Sequence, residues 1–283
     1  MPDCTIRTMR RDEIELAIDL AAREGWNPGL HDAHCFAEAD PDGFLVAEVD
    51  GRPVGCISAV SYGGRCGFVG LYIVVPEWRD QGIGMRLWTA GMQRLAGHLV
   101  GLDGVPAQQD NYRKSGFVLA WQNVRYAGTA RRSKIASNEA AIVPLADVNF
   151  ADVSADDRRV FPAPRERFLR AWIGMRDAVA LGCVEEGRLT GWAVIRRCRE
   201  GHKIGPLVAD TPAVATSLYI ALCDRVPEGD RVYLDVPLPN AAAVSLAQEH
   251  GMRGVFETAR MYTGDAPPCE LERVFGVTTF ELG

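Results

Sequence analysis

The feature that most constrains this chain is a pattern that occurs twice, at a spacing of 135 or 136 residues. The matches keep their order along the chain: positions 6 and 9 match 142 and 145, 51–55 match 187–191, 70–74 match 205–209, and 116–117 match 251–252. Chance matching of turn glycines is the alternative, but ordered matches at nearly one spacing favour a repeat. A repeat of this length predicts two copies of one domain fold.

Length and hydrophobic content fit two copies. The chain has 283 residues, of which 47% are hydrophobic and 24% charged, so the apolar side chains suffice for two cores. A polar, weakly patterned stretch at 129–140 separates the copies. We therefore expect a first domain at 1–128, a linker at 129–140 and a second domain at 141–283.

Charge and cysteine content argue against several classes of protein. The net charge is −6 and the pI about 5.5, whereas a nucleic-acid partner needs a basic face. No apolar run approaches the roughly 20 residues that span a bilayer, and no secretory pattern is visible; neither a nucleic-acid nor a membrane partner is expected. The eight cysteines form no Cys-x-x-Cys pair, which indicates reduced thiols in the cytoplasm.

Apolar periodicity predicts alternating strands and helices in the first copy. Residues 10–25 have one apolar face, as in a surface helix. Residues 67–75 form a continuous apolar run rich in β-branched and aromatic residues, typical of a central strand that Pro76 ends. The other predicted elements are a helix at 82–97 and strands at 44–49, 54–60, 99–102 and 117–126.

A glycine-rich turn lies between that central strand and the helix that follows it. The turn reads Arg79-Asp80-Gln81-Gly82-Ile83-Gly84-Met85. The first backbone N–H groups of a helix have no partner within the helix, and the helix dipole adds positive charge there, so such a turn suits a phosphate. Two glycines let the backbone approach a ligand closely. The turn is therefore a candidate phosphate site, although a plain helix start is the alternative.

Two other phosphate motifs fit this turn less well. A P-loop continues with Gly-Lys-Ser/Thr, where this chain has Met85-Arg86. A dinucleotide fingerprint has a third small residue, where Leu87 stands. The remaining pattern, Arg-x-x-Gly-x-Gly after a strand that ends Val-x-Pro, resembles the GCN5-related N-acetyltransferase (GNAT) superfamily. The resemblance covers residues 5–127.

The resemblance implies a fold, an activity and a cosubstrate. The fold is α/β, with two tandem GNAT-like domains, each a mixed, mostly antiparallel sheet flanked by helices. The activity is transfer of an acetyl group from acetyl-CoA to an amine of a small molecule or peptide. By this resemblance the strand pairs with the pantetheine arm and the turn holds the pyrophosphate. The implied cofactor-binding residues are Ile73, Val74, Val75, Arg79, Gln81, Gly82, Ile83, Gly84, Met85 and Asn111.

A second segment carries the resemblance towards catalysis. The stretch 111–117 resembles the family's Tyr-x-x-x-Gly-Phe segment, whose tyrosine protonates the departing CoA thiolate in many members. Tyr112 is accordingly the candidate catalytic acid, since a phenol suits a thiolate leaving group. Packing of the Tyr112 ring beside the cosubstrate, with water as the acid, is the alternative. Pro106 restricts the preceding helix to a short form.

The second copy resembles a degenerate repeat. It has an asparagine-led segment, 240–246, before Gly251, but no Gly-x-Gly after 207–208 and no tyrosine before Gly251. We infer that it does not bind CoA. It is expected either to shape the substrate pocket or to form the contact of a homodimer.

Substrate-side candidates lie in the loop after the first helix. Trp26 offers a flat apolar wall, and Asn27 and Asp32 offer polar groups. A helix end with Trp26 packed in the core is the alternative. An amine must lose a proton before it attacks a thioester, and Asp32, Asp103 and Asp110 are the open candidates for the base. His31 and His34 lack a third ligand, so no metal is expected.

Two rival functions remain open. In the first, the chain binds acyl-CoA as a non-catalytic sensor and acetylates nothing. In the second, it binds a nucleotide phosphate in another fold, which the missing Gly-Lys-Ser/Thr disfavours.

Overall fold

The computed structural model describes residues 4–132 and 142–283, so residues 133–140 of the predicted linker lie outside the described residues. The α-helices are α1 (Ile14–Arg23), α2 (Asp32–Ala39), α3 (Ile83–Arg94), α4 (Gln109–Lys114), α5 (Phe150–Val160), α6 (Glu166–Ile173), α7 (Pro212–Cys223) and α8 (Ala241–Glu249). The strands are β1 (Cys4–Thr8), β2 (Phe44–Val49), β3 (Arg52–Tyr62), β4 (Cys66–Val74), β5 (Leu99–Gly104), β6 (Val118–Thr129), β7 (Ile142–Pro144), β8 (Ala178–Glu185), β9 (Arg188–Arg197), β10 (His202–Ala209), β11 (Arg231–Pro237), β12 (Arg253–Tyr262) and β13 (Val274–Gly276).

The predicted elements of the first copy are all present, with shifted ends. The predicted helix at 10–25 is a 3-10 turn at Arg11–Glu13 followed by α1. It ends where Gly25 takes a φ of 77° and the Trp26 N–H returns to the Ala21 carbonyl, 3.0 Å away, because glycine adopts this left-handed conformation at little cost. α2 has no predicted counterpart, since its eight residues are too few to establish a helical period.

One sheet runs through both copies. Its strand order is β1-β2-β3-β4-β5-β12-β6-β11-β10-β9-β8-β7, with β13 beside β10. The pairs β4–β5 and β10–β11 are parallel, and the other pairs are antiparallel. The predicted α/β class, a mixed and mostly antiparallel sheet with flanking helices, is therefore confirmed.

The two copies exchange their last long strands. β6 belongs to the first copy in the chain but lies between β12 and β11, and β12 belongs to the second copy but lies between β5 and β6. β12 pairs with β5 from Ala259–Gly104 to Tyr262–Gly101. The domain boundary expected at residue 128 therefore does not divide the molecule into two separate sheets.

Each copy contains an opening between two strands. β4 and β5 pair from Cys66–Leu99 to Val69–Leu102 and then diverge. A bulge follows directly in β4, where Leu71 has a φ of 45°. β10 and β11 likewise pair from 202–232 to 204–234 and then separate. The backbone edge of each strand beyond this point needs a hydrogen-bonding partner.

The opening of the second copy is filled by the chain itself. β13 pairs with β10 at Leu207–Gly276 and Val208–Val274, and the Val277 N–H donates to the Asp235 carbonyl on β11, 2.9 Å away. β13 thus takes the place that a ligand backbone would take between the two strands. This explains physically why the second copy can lack a glycine turn.

Residues 274–283 are here called the 274–283 segment. This segment begins with β13 and runs on to the opening of the first copy. Its backbone carbonyl at Glu281 lies against Gly70, which can have no Cβ there. The Tyr62 hydroxyl donates to the Leu282 carbonyl at 3.0 Å, and the Arg165 Nη1 donates to the Gly283 carbonyl at 2.9 Å. Groups of both copies therefore hold this segment beside the first opening.

Helices flank the sheet on each copy. α3 packs on β3 and α7 packs on β9, and both helices have 12 residues. Between the copies, α2 packs against α6, where the rings of Phe36 and Trp172 stack with centroids 6.2 Å apart. Both side chains are fully buried, and each such burial stabilises the fold by about 1.5–3 kcal/mol. No helix within residues 4–132 and 142–283 has the length and apolar character needed to cross a membrane.

We expect Gly205→Ala to lower the free energy of unfolding by about 1–3 kcal/mol, the usual cost of overpacking. A Cβ on Gly205 would lie 2.6 Å from the carbonyl oxygens of Val277 and Thr278, so the 274–283 segment would have to move. Gly264→Ala is the matched control, because its Cβ would make an ordinary 3.4 Å contact with Leu99. Urea unfolding measures both; equal stability of the two variants would contradict the packing described here.

Candidate functional site

The glycine turn lies at the start of α3. After β4 a 3-10 turn at Pro76–Trp78 redirects the chain, and Gly82 caps the helix with a φ of 81°. No atom lies within 4 Å of the position that a Gly82 Cβ would take. The N–H groups of the first helical turn, from Ile83 to Met85, have no partner within the helix. The turn thus presents unpaired donors and the positive end of α3 to an open surface.

The side chains of this turn are occupied within the protein. The Arg79 Nε donates to the Val74 carbonyl at 2.8 Å, and its Nη2 forms an ion pair with Glu24 at 2.5 Å. The Gln81 amide donates to the Glu77 carbonyl at 3.0 Å. An anion at the turn would therefore meet backbone N–H groups first, with Arg79 held at the end of β4.

Gly84 lets α3 come close to β4. A Cβ on Gly84 would lie 2.8 Å from the Tyr72 hydroxyl oxygen. Met85, next in the turn, is 64% exposed. The helix start is thus open to solvent on one side and touches the strand that borders the first opening on the other.

The residues predicted to pair with an extended ligand lie on β4 and just after it. Ile73 and Val74 pair with β3 through Cys56 and Gly55, and the Val75 N–H donates to the Val54 carbonyl at 2.9 Å. Their other side faces the opening left by the divergence of β5. An added backbone can therefore lie between β4 and β5, as strands are added in peptide recognition.

A cavity lies in this opening. Its walls come from β4, β5, α4, the loop after α1, and the exchanged strands and 274–283 segment. The lining residues are Trp26, Val69, Gly70, Leu71, Tyr72, Leu102, Asp103, Val105, Gln108, Tyr112, Arg125, Phe256, Thr258, Phe280 and Glu281. Both copies thus build one cavity, and the start of α3 contacts its lining residue Tyr72 through Gly84.

Tyr112 lines this cavity from α4. Its ring packs on Trp88, with centroids 5.5 Å apart, and reaches over Gly104, where a Cβ would lie 2.8 Å from the ring. Burial, together with the neighbouring Tyr72, raises the pKa of the Tyr112 hydroxyl above its ordinary value. Tyr112 is therefore protonated at neutral pH and can donate a hydrogen bond. Asn111 lies outside the cavity lining, and its amide donates to Gln108 at 2.9 Å.

The three residues predicted on the substrate side separate in the structure. Trp26 lines the cavity. The Asn27 amide instead exchanges two hydrogen bonds of 2.9 Å with the backbone of Glu200. Asp32 is buried in an ion pair with Arg196, with Oδ1 and Nε 2.8 Å apart. Neither Asn27 nor Asp32 is among the lining residues; both instead fasten the loop after α1 to the second copy.

The other two carboxylates considered as bases are also engaged. Asp103 accepts from the Nε and Nη2 of Arg260 at 3.0 and 2.7 Å and from the Asn123 amide at 2.8 Å. Asp110 is exposed and paired with Arg113. Within the described ranges no group of three His, Cys, Asp or Glu side chains could hold a metal ion.

Sequence reasoning did not identify the cavity residues that come from the second copy. Phe256 and Thr258 lie on the exchanged strand β12, and Phe280 and Glu281 lie on the 274–283 segment. The Thr258 hydroxyl is buried and has no hydrogen-bond partner among the described residues, so it is available to a ligand. A usable signal was Arg125, a charged residue within an apolar strand, because such residues are seldom buried without a partner.

A set of buried charges lies behind the cavity. Arg125 forms two bonds of 2.6 and 2.8 Å with Asp235 on the neighbouring strand β11, and its guanidinium lies over the rings of Phe256 and Phe280. The buried Lys203 donates to the Asn27 carbonyl at 3.0 Å, and burial lowers the pKa of its ammonium. With the Arg196–Asp32 pair, these groups bind the loop after α1 to the second copy.

We expect Asp235→Asn to lower the free energy of unfolding by about 3–5 kcal/mol, because it leaves the Arg125 charge buried without an anion. Glu200→Gln is the control, since the Glu200–Arg231 ion pair is exposed and screened by water. The control should unfold at the wild-type denaturant concentration. Chemical denaturation measures both, and a wild-type midpoint for Asp235→Asn would contradict the structural role of the pair.

Family models match both copies of the chain. The acetyltransferase (GNAT) family model matches residues 11–117, and an acetyltransferase (GNAT) domain model matches residues 153–276. The holothin acyltransferase of Pseudoalteromonas sp. (strain SANK 73390) is 29% identical over 272 residues, covering 96% of this chain and 92% of that protein. An uncharacterised protein of Caenorhabditis elegans is 30% identical over 217 residues, covering 70% of this chain and 69% of that protein.

Solved structures show the same fold. A protein from Pyrococcus horikoshii that is assigned as an acetyltransferase superposes with a TM-score of 0.84 at 23% identity, covering 99% of this chain and 96% of that chain. A tandem GNAT protein from the clavulanic acid biosynthesis pathway superposes with a TM-score of 0.66 at 16% identity, covering 93% and 100%. With a family match in each copy and the strand, turn and helix in place, this chain belongs to the GCN5-related N-acetyltransferase family of enzymes and carries two GNAT domains in tandem.

Proposed function

We propose that this acetyltransferase moves an acetyl group from acetyl-CoA to an amine of a small molecule or peptide. The observation that supports the proposal is the contact between the glycine turn and the cavity through Tyr72. Gly84 at the start of α3 lies against the Tyr72 hydroxyl of β4, and Tyr72 and Tyr112 line the same cavity. A CoA thioester needs three features, namely an anion site, a partner for its amide groups and a donor near sulfur.

The residues present fit acetyl-CoA as a cosubstrate. The backbone N–H groups from Gln81 to Met85 would hold the pyrophosphate, where Gly82 leaves open space. Ile73, Val74 and Val75 would pair with the pantetheine arm. When bound, the thioester supplies an activated acyl group. The protein contributes orientation, which can account for a large part of the rate.

Tyr112 would donate its proton to the sulfur as the thiolate leaves. Its raised pKa makes it a weak acid in the absence of a ligand, so its hydrogen bond would strengthen as charge develops on sulfur before the proton is transferred. Trp26 would contact the acceptor amine, since it lines the same cavity. The second copy shapes this pocket through β12 and would bind no CoA, because β13 fills its opening.

Calorimetric titration with acetyl-CoA, with ATP and NAD as controls, tests the cosubstrate. We expect one CoA per chain, since one of the two openings is filled. Two per chain would contradict the role given to the second copy, and binding without turnover on any amine would favour an acyl-CoA sensor.

All eight cysteines are unpaired thiols, which supports a cytoplasmic location.

We expect Gly82→Trp to weaken acetyl-CoA binding by at least about tenfold, or 1.4 kcal/mol, because the indole would cover the N–H groups of α3. Gly97→Trp is the matched control. Gly97 has a φ of 80° and no atom within 4 Å of its Cβ position, as at Gly82, but it lies after the other end of α3. Calorimetry compares the two; equal affinities in folded proteins would exclude the turn as the pyrophosphate site.

We expect Tyr112→Phe to lower kcat by about 10²-fold, while the Kd of acetyl-CoA changes much less, because the hydroxyl acts mainly when charge develops on sulfur. Since burial raises the Tyr112 pKa, the hydroxyl stays protonated, and the ratio of variant to wild-type kcat should be constant from about pH 6 to pH 9, below the ordinary tyrosine pKa of about 10. Steady-state kinetics over this range measures it. A wild-type kcat in the variant would contradict the role as donor.

A further inference from the structure

The acceptor amine needs a base that none of the aspartates considered from the sequence supplies. Asp103, which also lines the cavity, already accepts three hydrogen bonds, two of them from Arg260. Asp32 is paired with Arg196 outside the cavity, and Asp110 is exposed with Arg113. The cavity has one other carboxylate in its lining, that of Glu281.

Glu281 is buried and has no ion-pair partner. Its side chain accepts a hydrogen bond from the neighbouring Thr279 hydroxyl. Within residues 4–132 and 142–283, no Lys, Arg or His nitrogen lies in ion-pair distance of its carboxylate. A buried carboxylate without a direct ion-pair partner is costly, so its place in the cavity lining suits a ligand that brings a cation into contact with it.

Burial and nearby charges act on the pKa of the Glu281 carboxyl in opposite directions. Burial raises the pKa of its carboxyl above the ordinary value, and the more distant charges of Lys203 and Arg125 oppose that rise. Asp32 and Arg196 act on it in opposite directions. A carboxyl with a raised pKa is a stronger base than an exposed one, and general bases work best when their pKa approaches the working pH.

Glu281 also lies where β4 and β5 begin to diverge. Its backbone carbonyl packs against Gly70, directly before the bulge at Leu71 where β4 and β5 diverge. Tyr112, a residue of the first copy, lines the same cavity. The bonds of Tyr62 to Leu282 and of Arg165 to Gly283 fix the 274–283 segment there.

We propose that Glu281 is the catalytic base, which binds the acceptor as a protonated primary amine and removes one proton from it. This inference rests on the proposed function. The aromatic walls at Trp26, Phe256 and Phe280 favour acceptors with an apolar body beside the amine, and the unpaired Thr258 hydroxyl can bind one further polar group.

The proton and electron balance is complete without another reactant. Glu281 takes a proton from the ammonium, and the freed nitrogen lone pair forms the C–N bond at the thioester carbonyl carbon. The C–S bond breaks with its electron pair on sulfur, Tyr112 gives its proton to sulfur, and the Tyr112 oxygen takes the second proton lost from nitrogen. Glu281 releases its proton to water, so the net products are the amide, CoA thiol and one proton.

Glu281→Gln tests the proposal with two primary amines that are substrates of the wild type. One is an arylalkylamine, protonated at pH 7, and the other is an aromatic amine, neutral at pH 7. For the first, kcat/KM should fall by about 10²-fold to 10⁴-fold and recover as pH rises towards the pKa of the amine. For the second, which needs no deprotonation before attack, kcat/KM should stay near the wild-type value.

Glu272→Gln is the matched control, since Glu272 is an exposed glutamate just before the 274–283 segment begins to be buried. It should behave as wild type with both amines. Acetyl-CoA affinity and Tm establish folding of each variant, and Glu281→Asp, which keeps the charge, takes its place in the same comparison if Glu281→Gln does not fold. An equal loss with both amines, or no loss, would overturn the role of Glu281. A wild type that binds acetyl-CoA and acetylates no amine would overturn the proposed function itself.

Discussion

The backbone pairing of β5 with β12 is the interaction on which the rest of the structure depends. It joins the first copy to a strand of the second, and the Arg260–Asp103 ion pair, 157 residues apart in the chain, reinforces it. Because β12 stands between β5 and β6, neither copy has a complete sheet alone. The acetyltransferase site and the second GNAT domain are therefore parts of one structural unit.

This pairing also explains the unusual number of buried charges. The interface between the copies contains Arg125, Arg196 and Lys203 together with Asp32, Asp235 and Glu281. Arg125 and Arg196 are neutralised by Asp235 and Asp32, as a low-dielectric interior requires. Five of the six are held by direct ion pairs or by a backbone carbonyl, and the sixth, Glu281, faces the cavity. Glu281 is thus both a member of this set of buried charges and the base in the proposed chemistry.

The elements of the first copy could be predicted because their signals lie within short stretches of the sequence. The apolar run at 67–75, Pro76 and the turn at 79–85 act over a few residues, so the strand, turn and helix could be predicted, and Tyr112 followed from a local motif. The exchange of β6 and β12 could not be predicted, because the sequence does not show which strands pair with one another in an antiparallel sheet. For the same reason the sequence did not indicate that Glu281 lines the cavity, or that Asn27 and Asp32 contact the second copy. Their side chains bind Glu200 and Arg196, residues that the repeat puts in the other copy.

The exchange of β12 has a consequence for the order in which the cavity forms during synthesis. A ribosome releases the glycine turn and Tyr112 long before residues 253–283, which complete the walls of the cavity. The nascent first copy therefore has the glycine turn and Tyr112 but lacks part of the cavity wall, and its β5 edge is unpaired. Exposed strand edges promote aggregation. Emergence of β12 covers this edge, and the cavity wall is complete only after the 274–283 segment has been synthesised.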